Sequence, residues 1–141
     1  MEATNLSPIT VSTTVKAPVA KVWQIWTSPR HITQWCVATD TWHTPRAENH
    51  LRPGGKFLSR MEAKDGSMGF DLKGVYDAII ENELITYALD DGRQVKVDFT
   101  ADADRTTITE TFDPENMNPI DMQQAGWQSI LDNFKRYVEG I

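Results

Sequence analysis

Residues 118–141, NPIDMQQAGWQSILDNFKRYVEGI, decide the fold of this chain because they predict one long amphipathic helix. Asn118 is a favourable capping residue, and Pro119 suits the first helical position. Side chains that recur at spacings of three and four share one face, and here they are Ile120, Gln123, Gln124, Trp127, Ile130, Leu131, Phe134, Tyr137, Val138 and Ile141. At ~1.5 Å per residue the helix would be about 33 Å long, so it needs a broad surface to lie against.

The segment before this helix predicts that surface as a set of strands. Alternation of apolar and polar residues indicates strands at 56–63, 70–80, 84–89, 95–101 and 106–112, with a shorter one at 40–43. Asp91-Gly92 suits a two-residue hairpin turn between two of them. Strands joined by hairpins form an antiparallel sheet, which a long helix can cover.

The N-terminal part adds one strand and two short helices. Residues 9–16 alternate as a strand does, and Pro18 opens a helix. Ser28-Pro29 interrupts that helix and starts a second one, which ends near Trp35. Residues 45–49 are predicted to be loop, and Pro53-Gly54-Gly55 a turn. The order predicts an α+β fold in a single domain over residues 1–141, with a curved antiparallel sheet of six to seven strands.

The composition disfavours several classes of function. The 141 residues include 14 Lys and Arg against 20 Asp and Glu, which gives a net charge of −6. Phosphate backbones attract clustered basic side chains, and the sequence has no such cluster, so we expect no nucleic-acid partner. No phosphate-binding glycine loop, serine nucleophile elbow or dinucleotide fingerprint is present, so no cofactor and no catalytic residue are predicted.

The termini and the cysteine content bear on location. Residues 1–8 lack the basic and apolar regions of a signal peptide. No apolar run approaches the ~20 residues needed to span a bilayer, so membrane insertion is not expected. Cys36 is the single cysteine, which precludes an intrachain disulfide. A cytoplasmic location is therefore expected.

Several short motifs, in their order and spacing, resemble the START-like (SRPBCC) superfamily. They are Ala17-Pro18, Val22-Trp23, Trp26-Thr27 and Trp35, the turn LRPGGKF at 51–57, Gly74-Val75-Tyr76, and Gly126-Trp127 with residues 131–137. Within that superfamily the chain is similar to activator-of-heat-shock-protein-ATPase homologues, a branch often labelled polyketide-cyclase-like. The resemblance covers nearly the whole chain.

The resemblance implies a helix-grip fold, in which a curved antiparallel sheet wraps around a long C-terminal helix and encloses a cavity. Relatives with this fold bind lipids, hormones, polyketides or other apolar small molecules. Some act as cyclases and some as co-chaperones, so the fold alone constrains function weakly.

Strand alternation predicts which side chains would line such a cavity. One face of each strand, together with the facing side of the helix and two nearby tryptophans, gives the candidate ligand-binding residues, namely Trp35, Trp42, Phe57, Ser59, Met61, Phe70, Tyr76, Phe99, Glu110, Phe112, Trp127 and Ile130. Apolar pockets with a few polar groups are the usual small-molecule sites. Plain core packing is the alternative explanation for the same residues. Gly126 either makes room for a ligand or lets the sheet approach the helix.

Glu110 is the sharpest polar candidate because alternation places it on the same face as Ile108 and Phe112. A buried carboxylate must find donors or take up a proton. Arg60 would be a partner if a bulge turned it inward. In the alternative register the threonines at 107, 109 and 111 face the core, and Glu110 faces water.

The remaining reactive side chains carry weaker signals. His43 and His50 flank Glu48, but their spacing matches no compact zinc motif, so no metal is predicted. His31 is expected to be exposed to solvent. Cys36 is expected to be a buried structural cysteine, since no basic neighbour is placed to lower its pKa.

Three hypotheses about function follow. The first is a non-enzymatic domain that holds an apolar or aromatic small molecule between the helix and the sheet. The second, from the resemblance alone, is a co-chaperone-like regulator of a heat-shock-protein ATPase, whose protein partner is unknown. The third is a cyclase or aromatase type of enzyme, in which Glu110 and Tyr76 are the available acid or base.

Overall fold

The computed structural model describes residues 7–141 and contains three helices and seven strands in that range. The helices are α1 (Val19–Thr27), α2 (Pro29–Trp35) and α3 (Ile120–Glu139). The strands are β1 (Ile9–Val15), β2 (Trp42–Asn49), β3 (Lys56–Ala63), β4 (Gly69–Ile80), β5 (Leu84–Leu89), β6 (Gln94–Asp102) and β7 (Arg105–Phe112). Residues 1–6, which carry most of the segment considered for a signal peptide, lie outside the described range.

The seven strands form one antiparallel sheet in the order β1-β7-β6-β5-β4-β3-β2. Strands β2 to β7 follow one another as a meander, because each is joined to the next by a turn. The N-terminal strand β1 then pairs with β7, which places the beginning of the sheet beside its end. The sheet is curled and α3 lies across it, so the predicted helix-grip α+β fold is confirmed.

Helix α3 begins at Ile120, with Pro119 in the capping position and no capping bond from a side chain. The prediction that Asn118 caps the helix is therefore wrong. The Asn118 side chain instead donates to Glu115 (3.0 Å), whose carboxylate also accepts the Asn118 backbone N–H (2.7 Å). Gln123 is buried beneath this turn and donates to the Asn118 carbonyl oxygen (2.8 Å).

Strand β2 corrects the expectation of a loop at residues 45–49. Pro45 lies inside β2, at a shift in the pairing register with β3 between His43 and Arg46. Proline cannot donate to a sheet ladder, so sheets tolerate it at edge strands and bulges. Strand β2 is the outer strand of the sheet and contains such an irregularity, which makes Pro45 compatible with a strand.

The core lies between the inner face of the sheet and the three helices. Leu131, Phe134 and Val138 of α3 are fully buried, and α3 approaches β1 and α2 most closely. Trp26 and Trp35 pack against Phe134 with ring centroids 4.9 and 4.8 Å away. The predicted apolar face of α3 is correct at its centre but not at its ends, where Ile120, Gln124 and Ile141 are exposed.

Candidate functional site

The inner face of the sheet is the one that alternation predicts. Each strand turns every second side chain toward the helices. The predicted inward residues Ser59, Met61, Tyr76, Phe99, Glu110 and Phe112 are all buried. The threonines at 107 and 109 lie on the other face, where Thr107 meets the hydroxyl of Thr14 at 3.0 Å. Burial establishes only where these side chains lie, so their contact with a ligand stays a prediction.

Glu110 is enclosed in an apolar part of this face. Glu110 pairs with Val11 of β1 on one side and with Val97 of β6 on the other. Only 5% of the surface of Glu110 is exposed. Within residues 7–141, no protein group donates a hydrogen bond to its carboxyl, and no cation pairs with it. Burial therefore raises the pKa of Glu110 to about 8.

Arg60 does not pair with Glu110. Its guanidinium donates to Glu62 at 2.9 Å and to Asp71 at 3.3 Å, on the opposite face of the sheet from the buried Ser59 and Met61. The condition for such a pairing, a bulge that turns Arg60 inward, is not met, because β3 and β4 pair in an unbroken register.

Two further acidic groups lie near Glu110. Burial and the Glu110 carboxyl raise the pKa of the Cys36 thiol to about 12, which fits the prediction of a structural cysteine. Burial and Glu110 likewise raise the pKa of Tyr87 well above its usual value. The sequence reasoning missed Tyr87, although the alternation of Ile85, Tyr87 and Leu89 along β5 could have placed it on the inner face.

Three aromatic rings form a cluster on the inner face of β3, β4 and β5. Phe57 packs against Tyr76 and Tyr87 with ring centroids 5.2 and 4.8 Å apart. Gly74 makes room for the Phe57 ring, since a Cβ there would lie 2.9 Å from it. The Tyr76 hydroxyl donates to Asn49 Oδ1 (2.5 Å), so its proton is already engaged.

The side of α3 that faces the sheet is incompletely covered. Trp127 stacks on Phe112 at a centroid distance of 3.9 Å, and both Trp127 and Ile130 stay half-buried. A Cβ added at Gly126 would meet no atom within 4 Å. Close approach of the sheet therefore does not explain this glycine, which borders open space.

Three predicted site residues pack against the helices or at a strand end. Trp35 is core, with its indole N–H donating to the Ile25 carbonyl oxygen (3.2 Å). Phe70 is 47% exposed and packs on Trp42 at a centroid distance of 6.0 Å. Phe70 therefore lies near the exposed end of its strand. Alternation predicts the face on which a side chain lies, but not whether the end of the strand is covered.

Concavities open on the surface of the described residues, and two of them have known linings. One, of about 450 Å³, lies between the end of α2, the start of β2 and the C-terminal half of α3, and Trp42, Lys64, Asn133 and Arg136 are among its lining. The other, of about 290 Å³, lies on the outside of β5 to β7. Glu110 and Tyr87 line neither of them. Trp26, Trp35 and Phe134 fill the interior between the three helices.

The histidines are spread over the molecule. His31 is half-buried rather than exposed, because its Nδ1 lies 2.7 Å from the Tyr137 hydroxyl. His43 lies 3.6 Å from Glu62 across the β2–β3 ladder. Over the described part of the chain, no three His, Cys, Asp or Glu side chains come together as metal ligands would.

The helices of the described range also bear on membrane association. None of α1, α2 and α3 is both long enough and apolar enough to cross a membrane.

Comparison with known proteins adds a family to this geometry. A family model described as Activator of Hsp90 ATPase homolog 1-like protein matches residues 16–139. An AHSA1-like protein from Aeromonas hydrophila is 40% identical over 94% of this chain and 93% of that one, with a TM-score of 0.86. A protein from Cytophaga hutchinsonii is 52% identical over 94% and 92%, with a TM-score of 0.82.

More distant structures share the fold alone. A protein from Nitrosomonas europaea has a TM-score of 0.82 at 16% identity, over 99% of this chain and 97% of that one. Among curated proteins, none matches this sequence.

Proposed function

The chain belongs to the family of Activator of Hsp90 ATPase homolog 1-like proteins, within the START-like superfamily, and from this premise we propose that it binds a small, mostly apolar molecule. The molecule would lie between α3 and the inner face of β3 to β7. The family fold suits either a ligand-binding or a co-chaperone-like domain, so the choice between them rests on the site. A single domain over residues 1–141 and a cytoplasmic location stay predictions.

The main support for this proposal is that the carboxyl of Glu110 is buried without a hydrogen-bond donor among the described residues. A buried polar group without a partner costs roughly 1–3 kcal/mol, and proteins keep few such groups. Glu110 has no protein donor among the described residues and is surrounded by Val11, Val97 and neighbouring apolar side chains. A ligand that offers a hydrogen-bonding group to Glu110 would remove this cost, which is how polar groups orient molecules in apolar sites.

Several inward-facing apolar side chains are only partly covered by other protein atoms, which supports the same proposal. Phe57, Leu72 and Tyr87 on the sheet, like Trp127 and Ile130 on α3, remain half-buried while packing against the core. Each Å² of apolar surface that a ligand covers contributes about 25 cal/mol. Gly126 lies on the same part of α3, and no protein atom lies within 4 Å of the position that a Cβ would take there.

The proposal is tested with a fluorescent apolar probe, N-phenyl-1-naphthylamine, titrated into the purified protein. We expect saturable binding that quenches or shifts tryptophan emission, because Trp127 would contact the probe. Gly126→Leu fills the open space and should weaken binding at least tenfold. Ala125→Leu is the matched control, since Ala125 is exposed on the same helix turn.

Two results would oppose the proposal. Binding that is equally strong in the Gly126→Leu and Ala125→Leu variants would place the probe elsewhere on the surface. A mass-spectrometric search of the purified protein that finds no copurifying small molecule, together with no probe binding, would end the proposal.

A co-chaperone-like role is the second candidate, and one surface feature favours it. Met117, Ile120 and Met122 are exposed around the start of α3, with Met117 86% exposed. Exposed apolar groups of this kind mark protein contacts when they are contiguous. The ATPase rate of a purified Hsp90-class protein, measured with and without the chain, tests this role. Stimulation lost in a Met117→Ser/Met122→Ser variant, but kept in Met68→Ser, would favour it.

A further inference from the structure

The ionisable side chains around the proposed site include four weak acids. The Glu110 carboxyl acts on the ionisation of both Cys36 and Tyr87, and the Tyr76 ring packs against the Tyr87 ring at a centroid distance of 6.2 Å, so these four side chains lie in one region of the interior. The buried polar or charged residues of the described range are Thr44, Ser59, Thr106, Glu110 and Gln123. None of these carries a positive charge, so the region offers no counterion to an anion.

The basic side chains near the sheet are already paired or directed outward. Arg93, whose charge acts on Tyr87, donates to Asp91 at 2.8 Å. Arg60 is held by Glu62 and Asp71 on the outer face. The Glu115 carboxylate accepts the backbone N–H groups of Met117 and Asn118 in the loop before α3, so it adds a negative charge close to the start of that helix.

Desolvation then decides which ligands such a site accepts. Moving an ionised carboxylate or sulfonate out of water is costly unless a cation or several donors replace the water. Here the anion would instead meet Glu110, which repels it when ionised. An uncharged hydroxyl, amide or carbonyl group loses far less hydration and can bond to the Glu110 carboxyl.

We infer that the site between α3 and the sheet selects uncharged apolar molecules with a hydrogen-bonding group and rejects organic anions, including fatty carboxylates. The inference rests on the proposed function, because it names the ligand class of the same site. It separates this chain from carriers that hold an anionic headgroup on a buried arginine or lysine.

The test compares three probes with one skeleton. N-phenyl-1-naphthylamine is uncharged, 1-anilinonaphthalene-8-sulfonate adds an anionic group, and the corresponding 8-sulfonamide has similar bulk without the charge. We expect the uncharged pair to bind with similar dissociation constants and the sulfonate to bind at least tenfold more weakly. Gly126→Leu should weaken the uncharged probes, which ties their binding to the site.

The outcomes separate the two claims. If the sulfonate binds as tightly as the sulfonamide, and Gly126→Leu weakens both, the inference about charge is wrong while the proposed function stands. If Gly126→Leu changes no probe's affinity, both claims fail. If the sulfonate and the sulfonamide are both weak and only the parent amine binds, bulk rather than charge decides, and the inference is again overturned.

Discussion

The buried carboxyl of Glu110 makes the free energy of unfolding depend on pH. Its carboxyl has an ordinary pKa of 4.5, and burial raises the pKa to about 8 in the fold. Between these two pH values the unfolded chain has lost the proton and the folded chain still holds it. The folded state therefore binds more protons, and the free energy of unfolding falls as the pH rises through this window.

Glu110→Gln should remove this dependence because the amide does not ionise. We expect the difference in unfolding free energy between variant and wild type to grow in favour of the variant by up to ~1.4 kcal/mol per pH unit between pH 5 and 8. Urea unfolding at several pH values measures it. Glu81→Gln, at an exposed turn position, is the control and should parallel the wild type. If the unfolding free energies of Glu110→Gln and wild type instead change in parallel with pH, the Glu110 carboxyl is hydrated in the folded protein.

Gly126 and Gly74 make a contrasting pair of glycines. Gly126 lies inside a helix, where glycine is less favourable than alanine by about 0.5–1 kcal/mol. A Cβ at Gly126 meets open space, whereas a Cβ at Gly74 would lie 2.4 Å from the Ala88 carbonyl oxygen. The two sites thus predict opposite signs for the same substitution.

We expect Gly126→Ala to raise the free energy of unfolding by about 0.5–1 kcal/mol. Gly74→Ala should lower it by about 1–3 kcal/mol, because the strands or the Phe57 ring must shift. Chemical denaturation of both variants beside the wild type measures the two changes. A destabilising Gly126→Ala would mean that α3 lies closer to its neighbours than the open space implies.

At the scale of elements, Gln123 joins α3 to the loop before it. Its amide donates to the carbonyl oxygens of Glu115 (3.1 Å) and Asn118 (2.8 Å), and its own oxygen accepts the Glu115 N–H (2.8 Å). These three bonds fix the loop against the first turn of α3, although none of them satisfies a free N–H group of the helix itself.

Gln123→Ala should therefore lower the free energy of unfolding by about 1–2 kcal/mol, since it removes three hydrogen bonds to partly buried backbone groups of Glu115 and Asn118. Gln124→Ala, one residue along on the exposed side, should change it by less than about 0.5 kcal/mol. Hydrogen exchange of the Glu115 N–H should also accelerate in Gln123→Ala. Equal stability of the two variants would show that water replaces the lost bonds.

The sequence predicts elements well where periodicity is long and poorly where it is interrupted. Strands β3 and β5 have the predicted bounds, because their alternation is uninterrupted between turn residues. Strand β2 was predicted as mostly loop, because Pro45 and the register shift break its pattern. Such an edge strand is recognised only when its pairing with β3 is known, and that pairing belongs to the tertiary structure.

Some features of the candidate site can likewise be predicted from local sequence, and others cannot. The inward position of Glu110 follows from alternation along β7, a local property. The inward position of Tyr87 follows from alternation along β5 in the same way. The pairing of Tyr76 with Asn49 and the exposure of Phe70 depend on strands and loops distant in sequence. No local pattern contains that information, and a family resemblance supplies the fold without assigning these contacts.

At the scale of the whole molecule, α3 is held more firmly at one end than at the other. Its C-terminal half contributes the fully buried Leu131, Phe134 and Val138, and Lys135 reaches the Thr14 carbonyl oxygen (2.7 Å). The half that contains Gly126 and Trp127 is less covered. A ligand that enters beneath this half would complete the packing and stabilise the entire fold.

This coupling gives a final prediction for thermal unfolding. A ligand that binds only the folded state stabilises it by RT ln(1 + [L]/Kd), about 1.4 kcal/mol at ten times Kd. N-phenyl-1-naphthylamine should then raise Tm by roughly 2–6 °C, given the size of the chain. Gly126→Leu occupies the same space with its own side chain, so its Tm should respond far less, whereas Ala125→Leu should respond as the wild type does. An unchanged or lowered Tm in the wild type would mean that the probe does not bind the folded state preferentially, and α3 would then cover a completed core.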